Sequence, residues 1–105
     1  MRRGEIWLVD FGDPVGHEPA RTRPAVMVSA DETGMQGLPM VVPFTTTRRG
    51  YITHVEVWSE LAEVSYAACE QLRVISTERL VHKIGTVDGI EMIRIENILR
   101  RLLKL

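Results

Sequence analysis

A series of short strand-like segments, followed by one helical segment, is the feature of this sequence that most restricts its fold. β-Branched and aromatic residues concentrate in segments 5–11, 24–29, 40–45, 54–58, 66–74 and 83–87, and Gly, Pro or polar residues separate them. The first kind of residue is typical of strands and the second of turns. Five or six such strands closed by a helix predict a small, curled antiparallel barrel, a mostly β member of the α+β class.

The end of the chain carries the clearest helical pattern. Asp88 and Glu91 have the spacing of a capping box, which starts a helix. Apolar residues then recur at helical spacing and predict one apolar face, formed by Met92, Ile95, Leu99, Leu102 and Leu103. Residues 77–80 predict a further short helix. Pro24 is expected at the first position of its strand, and Pro43 at a bulge or an edge, because proline cannot donate to a strand ladder.

Length and composition restrict the class of protein. The 105 residues fit one domain, 1–105, and no apolar stretch approaches the roughly 20 residues that span a bilayer. The net charge of −1 excludes a generally basic surface, so a bound nucleic acid would have to meet a local patch. With Cys69 as its single cysteine and three scattered histidines, the sequence predicts neither a disulfide nor a metal site, and it suits a reducing cytoplasm.

Several short motifs occur in a fixed order along almost the whole chain. They are 3–9 (RGEIWLV), 16–18 (GHE) followed after four residues by 23–26 (RPAV), 42–46 (VPFTT), 69–73 (CEQLR) and 79–80 (RL) before 84–85 (IG). In this order and spacing they resemble the MazF/PemK/Kid family of toxin ribonucleases. The resemblance implies an SH3-like barrel with a C-terminal helix, a CcdB/PemK-like fold.

The same resemblance implies a function and a set of partners. The activity expected is sequence-specific, metal-independent endonucleolytic cleavage of single-stranded RNA, which inhibits translation and growth. The products would be 2′,3′-cyclic phosphate and 5′-hydroxyl ends, with no cofactor. A homodimer would frame the RNA, a cognate antitoxin would neutralise it, and DNA would be met only through an antitoxin complex.

Cleavage of this kind needs a base for the 2′-hydroxyl and cationic or hydrogen-bonding groups for the charged phosphorane. By resemblance to the Arg-Pro motif, Arg23 is the expected catalytic cation, with a surface salt bridge to Glu18 or Glu70 as the structural alternative. Thr45 matches the catalytic threonine, although threonine is also a common strand residue. Glu70 is expected as base, as a partner that aligns Arg23, or as a contact to a base edge; pairing with Arg73 is its structural alternative.

Four further residues are expected to bind the substrate. His17 and Glu18 lie in the segment that resembles the family's gate loop, Thr46 follows the catalytic threonine, and Gln71 follows the acid. Some relatives carry an arginine two residues before that acid, where this chain has Ala68, so a relay built on that position is not expected here. His54 and His82 are expected to be structural, and Trp7 and Phe44 to lie in the core.

Two other functions compete with the ribonuclease. A CcdB-like poison of DNA gyrase would share the fold, and would act through the C-terminal helix without cutting RNA. A barrel that binds RNA without cleaving it is the second alternative, which Ala68 keeps open.

Overall fold

A computed structural model of the chain describes residues 1–17, 21–32, 36–58 and 60–105. The described elements, in chain order, are β1 (Glu5–Asp10), β2 (Thr22–Met27), β3 (Met40–Thr45), β4 (His54–Val57), β5 (Ser65–Ala68), β6 (Arg73–Val74), β7 (Leu80–Thr86) and helix α1 (Gly89–Leu103). Two short 3-10 helices, Cys69–Gln71 and Thr77–Arg79, precede β6 and β7. The second of these confirms the short helix expected near residues 77–80.

All strand pairs of the sheet are antiparallel, in the order β4-β5-β3-β2-β1-β7, with β6 beside β3. The sheet curls so that Ile6 on β1 and Val55 on β4 belong to the same core. The expected class, a mostly β antiparallel fold with a C-terminal helix, is therefore confirmed. Within the described ranges the edge strands β4 and β7 do not pair, so the curled sheet stays open there.

The central strands are buried on both faces, because successive residues enter different clusters. Val26 and Val42 point into the larger cluster, which α1 covers with Met92 and Ile95. Their neighbours enter a smaller cluster, which consists of Val9, Phe11, Ala25, Met27, Val41 and Ile75. Burial on both faces explains why these strands read as continuous apolar runs instead of alternating ones.

The aromatic side chains and α1 behave largely as the sequence predicts. Phe44 is in the larger cluster, and Trp7 is half-buried against the smaller one while its Nε1 donates to Glu5. Leu102 and Leu103 extend the apolar face of α1 but are exposed. None of the helices in the described part of the chain is long and apolar enough to cross a membrane.

The capping box expected at the start of α1 is present with both of its hydrogen bonds. The Glu91 amide donates to Asp88 Oδ1 at 2.7 Å, and the Asp88 amide donates to Glu91 Oε1 at 3.2 Å. Glu91 is buried, and its second oxygen accepts from the amide of Trp58 at 2.9 Å, just beyond β4. The same side chain therefore caps the helix and attaches it to the sheet.

The single strand expected over residues 66–74 is wrong. The chain pairs with β3 as β5, leaves it in the 3-10 turn Cys69–Gln71, and pairs with β3 again as β6. Tertiary contacts override strand propensity at this turn, since the amide of Cys69 donates to the carbonyl of Thr53 and its side chain is buried. The strand expected at 83–87 begins three residues earlier, at Leu80, because it pairs with β1 through two irregularities of register.

Pro24 and Pro43 lie where β2 and β3 lack a neighbouring strand on one side. Pro24 is the third residue of β2, and not its first as expected; the ladder with β3 begins only at Ala25, so Pro24 lacks that neighbour. Pro43 lies between the part of β3 that pairs with β6 and the part that pairs with β5. A missing amide is tolerated at such gaps. The bulge or edge expected at Pro43 is not found, because Pro43 pairs with Ala25 in an unbroken register inside β3.

Glu5 at the start of β1 gives a prediction about stability. Burial acts to raise its pKa, but hydrogen bonds from Lys83, Trp7 and the amide of Arg2 outweigh it and lower the pKa to about 2. A lowered folded-state pKa adds stability that is present above about pH 4.5 and is lost as the pH falls toward 2.

We therefore expect Glu5→Gln to lower the free energy of unfolding at pH 7 by about 1 to 2 kcal/mol, after allowance for solvent screening. The difference from the unaltered chain should shrink as the pH falls from 4.5 to 2. Urea titrations at several pH values measure both quantities. A difference that does not depend on pH would contradict the assignment.

Candidate functional site

A cleft of about 530 Å³ opens beside the ends of β2, β3 and β5. Five of the seven residues that the sequence nominates line it, namely His17, Arg23, Thr45, Glu70 and Gln71; Pro43, Arg49, Tyr51, His54 and Ala68 complete the wall. Thr46 lines an adjoining hollow of about 390 Å³, which shares Arg23 and Thr45 with the cleft. The seventh, Glu18, lies outside the residues that the structure describes.

The register of β2 and β3 explains why Arg23 and Thr45 meet. Ala25 pairs with Pro43 in this antiparallel ladder. Arg23 and Thr45 each lie two residues from this pair, just beyond the ladder, and residues two apart in a strand point to the same face. Both side chains line the cleft and the adjoining hollow. The β1–β2 pair holds Arg23 from the other side, opposite Val9. Two rigid strands therefore bring a guanidinium and a hydroxyl together.

Arg23 keeps its hydrogen-bonding capacity available. Its Nε atom is buried and has no hydrogen-bond partner among the described residues. Within the same ranges Arg23 forms no ion pair, and Glu70 is hydrogen-bonded to other groups. The expected alternative of a salt bridge between Arg23 and Glu70 is therefore not found. A buried donor without a partner is costly in a folded protein, and it is common where a ligand supplies the acceptor.

The hydroxyl of Thr45 lies beside Arg23 at the end of β3. The amide of Thr47 donates to its Oγ1 at 3.2 Å, which fixes the oxygen as an acceptor. A hydroxyl has one proton to donate in addition to its lone pairs. The proton of Thr45 thus remains available to an acceptor in the cleft.

Glu70, in the 3-10 turn after β5, is held by two neighbours. Thr53 Oγ1 donates to its Oε1 at 2.8 Å, and His54 Nε2 lies 2.9 Å from its Oε2. Burial acts to raise the pKa of Glu70, but the hydrogen bonds from His54 and Thr53 outweigh it and lower the pKa. Glu70 is therefore a carboxylate at neutral pH. The alternative of pairing with Arg73 is not found in the described part, where Arg73 lies over the Phe11 ring at 5.5 Å.

Sequence reasoning missed His54, Tyr51 and Arg49 as residues of the cleft. His54 was expected to be structural, yet it contacts Glu70 and lies edge-on to Tyr51, with ring centroids 5.0 Å apart. It reaches the site because β4 pairs with β5, with His54 opposite Ala68. β4 and β5 are consecutive strands, but no motif in the sequence specifies their register, so His54 carries no local signal of its place in the cleft.

The segment that resembles a gate loop is attached to the cleft floor at one point. Gln71 Nε2 donates to the carbonyl of His17 at 2.8 Å. At the base of the loop the amide of Phe11 donates to the carbonyl of Arg21, and the Arg21 amide donates to Gly12, with Arg21 at a φ of 53°. This places His17 at the rim of the cleft, on the side of Glu70.

The donor set of the cleft favours an anionic ligand. It combines the guanidiniums of Arg23 and Arg49 with the hydroxyl of Thr45, beside one carboxylate. Guanidinium and hydroxyl donors suit the oxygens of a phosphodiester. In the ranges that the structure describes, His, Cys, Asp and Glu side chains do not gather into a group of three that could hold a metal ion. The roles of the individual residues remain predictions.

Comparison with known proteins gives consistent results. Residues 2–103 match the family profile described as PemK-like, MazF-like toxin of type II toxin-antitoxin system. A protein of Mycobacterium tuberculosis named Endoribonuclease MazF9 is 37% identical over 119 residues, covering 95% of this chain and 93% of that protein.

Solved structures agree in fold. The crystal structure of MazF (Form-I) from Deinococcus radiodurans has a TM-score of 0.88 at 21% identity and covers 100% of this chain and 97% of that one. An endoribonuclease in complex with its cognate antitoxin, from a mycobacterial species, has a TM-score of 0.84 at 23% identity and covers 100% and 96%.

Proposed function

Because the chain belongs to the family of PemK-like, MazF-like toxins of type II toxin–antitoxin systems, we propose that it is a sequence-specific, metal-independent endoribonuclease. Its substrate is single-stranded RNA, and its cleavage inhibits translation and growth. The observation that carries the proposal is the convergence of Arg23, Thr45 and Glu70 on one cleft. The homology to a protein named Endoribonuclease MazF9 supports the same activity.

In the proposed reaction the 2′-hydroxyl of the RNA attacks the adjacent phosphorus. The bond to the 5′-oxygen breaks and this oxygen takes up a proton from water, which leaves a 2′,3′-cyclic phosphate and a 5′-hydroxyl end. Arg23 and Thr45 hold the non-bridging oxygens, whose negative charge grows in the transition state. Donors already oriented before the reaction stabilise that charge more effectively than water does.

Glu70 receives the proton of the attacking 2′-hydroxyl in this scheme. Its lowered pKa makes it a weak base but keeps it ionised over the whole neutral range. The contacts from Thr53 and His54 fix both carboxylate oxygens, so the remaining lone pairs face a defined direction. His17, Glu18, Thr46 and Gln71 would contact the RNA on either side of the scissile phosphate.

The proposed partners follow from the same family. An antitoxin would neutralise the protein by covering the cleft, and contact with DNA would occur only through that complex. The solved complex of a similar endoribonuclease with its cognate antitoxin supports an antitoxin as the partner. We also propose a cytoplasmic homodimer, in which two subunits frame the RNA. Light scattering should then give about twice the chain mass of 11.9 kDa.

The gyrase poison is not favoured by the comparisons. The similar proteins reported above are named endoribonuclease or MazF, and none of those names refers to gyrase. A gyrase poison also has no need for an unpaired guanidinium in a cleft beside a hydroxyl and a carboxylate. A pull-down of gyrase without RNA cleavage would reverse this conclusion.

Primer extension on a long RNA, after incubation with purified protein and EDTA, tests the proposal. We expect discrete stops at one short sequence, and their loss in Arg23→Ala. Arg94→Ala, which alters an exposed arginine on α1, serves as the matched control and should cut as the unaltered chain does. Absence of stops from a folded protein, on RNAs that together contain all short sequences, would contradict the proposal.

Thr45 gives a second test, based on its hydroxyl alone. Thr45→Val keeps the shape and removes the donor, so we expect kcat to fall about tenfold to a hundredfold, the loss of one transition-state hydrogen bond. Thr45→Ser keeps the hydroxyl and should retain most of the activity. Rate measurements on one short RNA at saturating concentration distinguish the two variants. Equal rates for Val and Ser would exclude a role for the hydroxyl.

A further inference from the structure

We propose that His54 is a positioning residue for the proposed cleavage: a neutral imidazole whose Nε2–H holds Glu70 in place opposite Arg23 and Thr45. This inference rests on the proposed function, since it assigns a partner to the base of that reaction. It concerns a residue that sequence reasoning set aside as structural.

Hydrogen bonding to Glu70 is the first support. His54 Nε2 lies 2.9 Å from Glu70 Oε2, a normal hydrogen-bond length. The imidazole side chain is only 5% exposed, whereas the carboxylate is 33% exposed and lines the cleft. His54 therefore acts on the cleft through Glu70, and Glu70 is the member of the pair that an RNA would meet.

The strand register explains how the ring comes to lie there. His54 is the first residue of β4 and pairs with Ala68, the last residue of β5. Glu70 follows two residues later in the 3-10 turn, so this register places His54 beside the carboxylate. Tyr51 closes the other side of the ring, with centroids 5.0 Å apart and an interplanar angle of 68°. The ring thus has one fixed orientation.

The second ring nitrogen indicates the protonation state. His54 Nδ1 is buried and has no hydrogen-bond partner within the described ranges. An imidazolium would bury a charged N–H donor without an acceptor, which is more costly than a bare lone pair of a neutral ring. The neutral tautomer with its proton on Nε2 leaves only that lone pair unsatisfied, and it donates to Glu70 Oε2.

The electrostatic surroundings of Glu70 agree with this role. The titratable and charged side chains facing it across the cleft are His17, Arg23, Arg49, Tyr51 and His54, and Cys69 precedes it in the chain. The hydrogen bond from His54 is the largest effect that lowers the pKa of Glu70 against the opposing effect of burial. Loss of that bond should therefore raise the pKa and allow the carboxylate to rotate.

Two variants of His54 test the proposal. His54→Phe keeps a ring of similar size without a donor, and we expect kcat to fall about tenfold to a hundredfold with KM nearly unchanged. The acidic limb of the kcat/KM profile should move to higher pH, since a base with a raised pKa is protonated earlier. His54→Gln places an amide N–H near the position of Nε2 and should recover most of the rate.

A double substitution separates positioning from a general structural effect. In a Glu70→Gln background the further change His54→Phe should lower the rate by less than twofold, because its partner has already lost the charge. His82→Phe, at an exposed position of β7, is the matched control and should behave as the unaltered chain. Thermal unfolding of every variant verifies that the fold is kept.

Carbon-13 NMR of the Glu70 carboxyl group provides a readout that needs no RNA. We expect its titration to move to higher pH in His54→Phe and to return toward the original value in His54→Gln. An unchanged titration, or equal rate losses with and without Glu70, would overturn the inference. If the titration of Glu70 moves but neither the unaltered chain nor any variant cuts RNA, the His54–Glu70 pair exists and the proposed function fails. If RNA is cut but the titration does not move, the proposed function stands and the role of His54 fails.

Discussion

Replacing Arg23 with alanine is expected to lower kcat/KM for RNA cleavage about a thousandfold, because the variant loses the cation that we propose to stabilise the phosphorane. Removal of one preorganised donor from a developing oxyanion generally costs 10²–10³ in rate, and a lost charge adds to that. Arg23→Lys should recover only part of the rate, since an ammonium cannot form the two parallel hydrogen bonds of a guanidinium. Single-turnover kinetics on one short RNA give the values.

The same substitution should have little effect on stability. Arg23 forms no ion pair with the described residues, and its buried Nε has no partner there. Its truncation removes an unsatisfied donor, so we expect the Tm to stay the same or rise slightly. Arg94→Ala supplies the baseline for both measurements. A large fall in Tm with Arg23→Ala would mean that this arginine supports the fold, and the loss of activity would then have no chemical meaning.

Glu91→Ala is expected to lower the free energy of unfolding by about 2 to 4 kcal/mol, the largest stability effect anticipated outside the apolar core. The buried carboxylate accepts from the amides of Asp88 and Trp58, so its removal leaves two backbone donors without their acceptor. A loss of this size corresponds to a fall in Tm of roughly 10 to 20 °C for a chain of this length. Differential scanning calorimetry measures it.

Two comparisons make the Glu91 result specific. Glu91→Gln keeps one carbonyl acceptor and should lose about half as much stability. Glu56→Ala, at an exposed position of β4, removes a carboxylate with no such role and should leave the Tm within about 2 °C. If Glu91→Ala and Glu56→Ala unfold at the same temperature, the link between the helix cap and the end of β4 contributes little. Below its Tm, Glu91→Ala should still cut RNA, because Glu91 does not line the cleft.

The elements that the sequence predicted well are those fixed by local chemistry. The capping box at Asp88 and the apolar run of β3 specify structure within a few residues, and both are present as expected. The error at residues 66–74 has a different cause. Strand propensity continues through Cys69, but the chain must turn there to bury its thiol and to bring Glu70 against β4. Such a turn depends on a neighbour that local propensity does not include.

The candidate site was likewise predicted only in part. Arg23 and Thr45 were nominated from motifs, and the neighbouring ends of the paired strands β2 and β3 bring both into the cleft. His54 was not, because its place beside Glu70 depends on how β4 and β5 pair, which no motif in the sequence specifies. Pro24 also lies inside its strand and not at the start. The pairing of β2 with β1 already includes Pro24, whereas the pairing with β3 begins one residue later, at Ala25. Residue chemistry nominates candidates, and topology decides which of them share a cleft.

Cleavage of a short RNA that carries one 2′-deoxyribose tests the central claim most directly. The RNA contains the preferred sequence, and the deoxyribose replaces the ribose on the 5′ side of the cut; EDTA is present throughout. We expect no cleavage of this RNA, whereas the all-ribose version should yield 2′,3′-cyclic phosphate and 5′-hydroxyl ends. Cleavage of the deoxy-substituted RNA at the same bond, or 5′-phosphate ends from either RNA, would contradict attack by the 2′-hydroxyl.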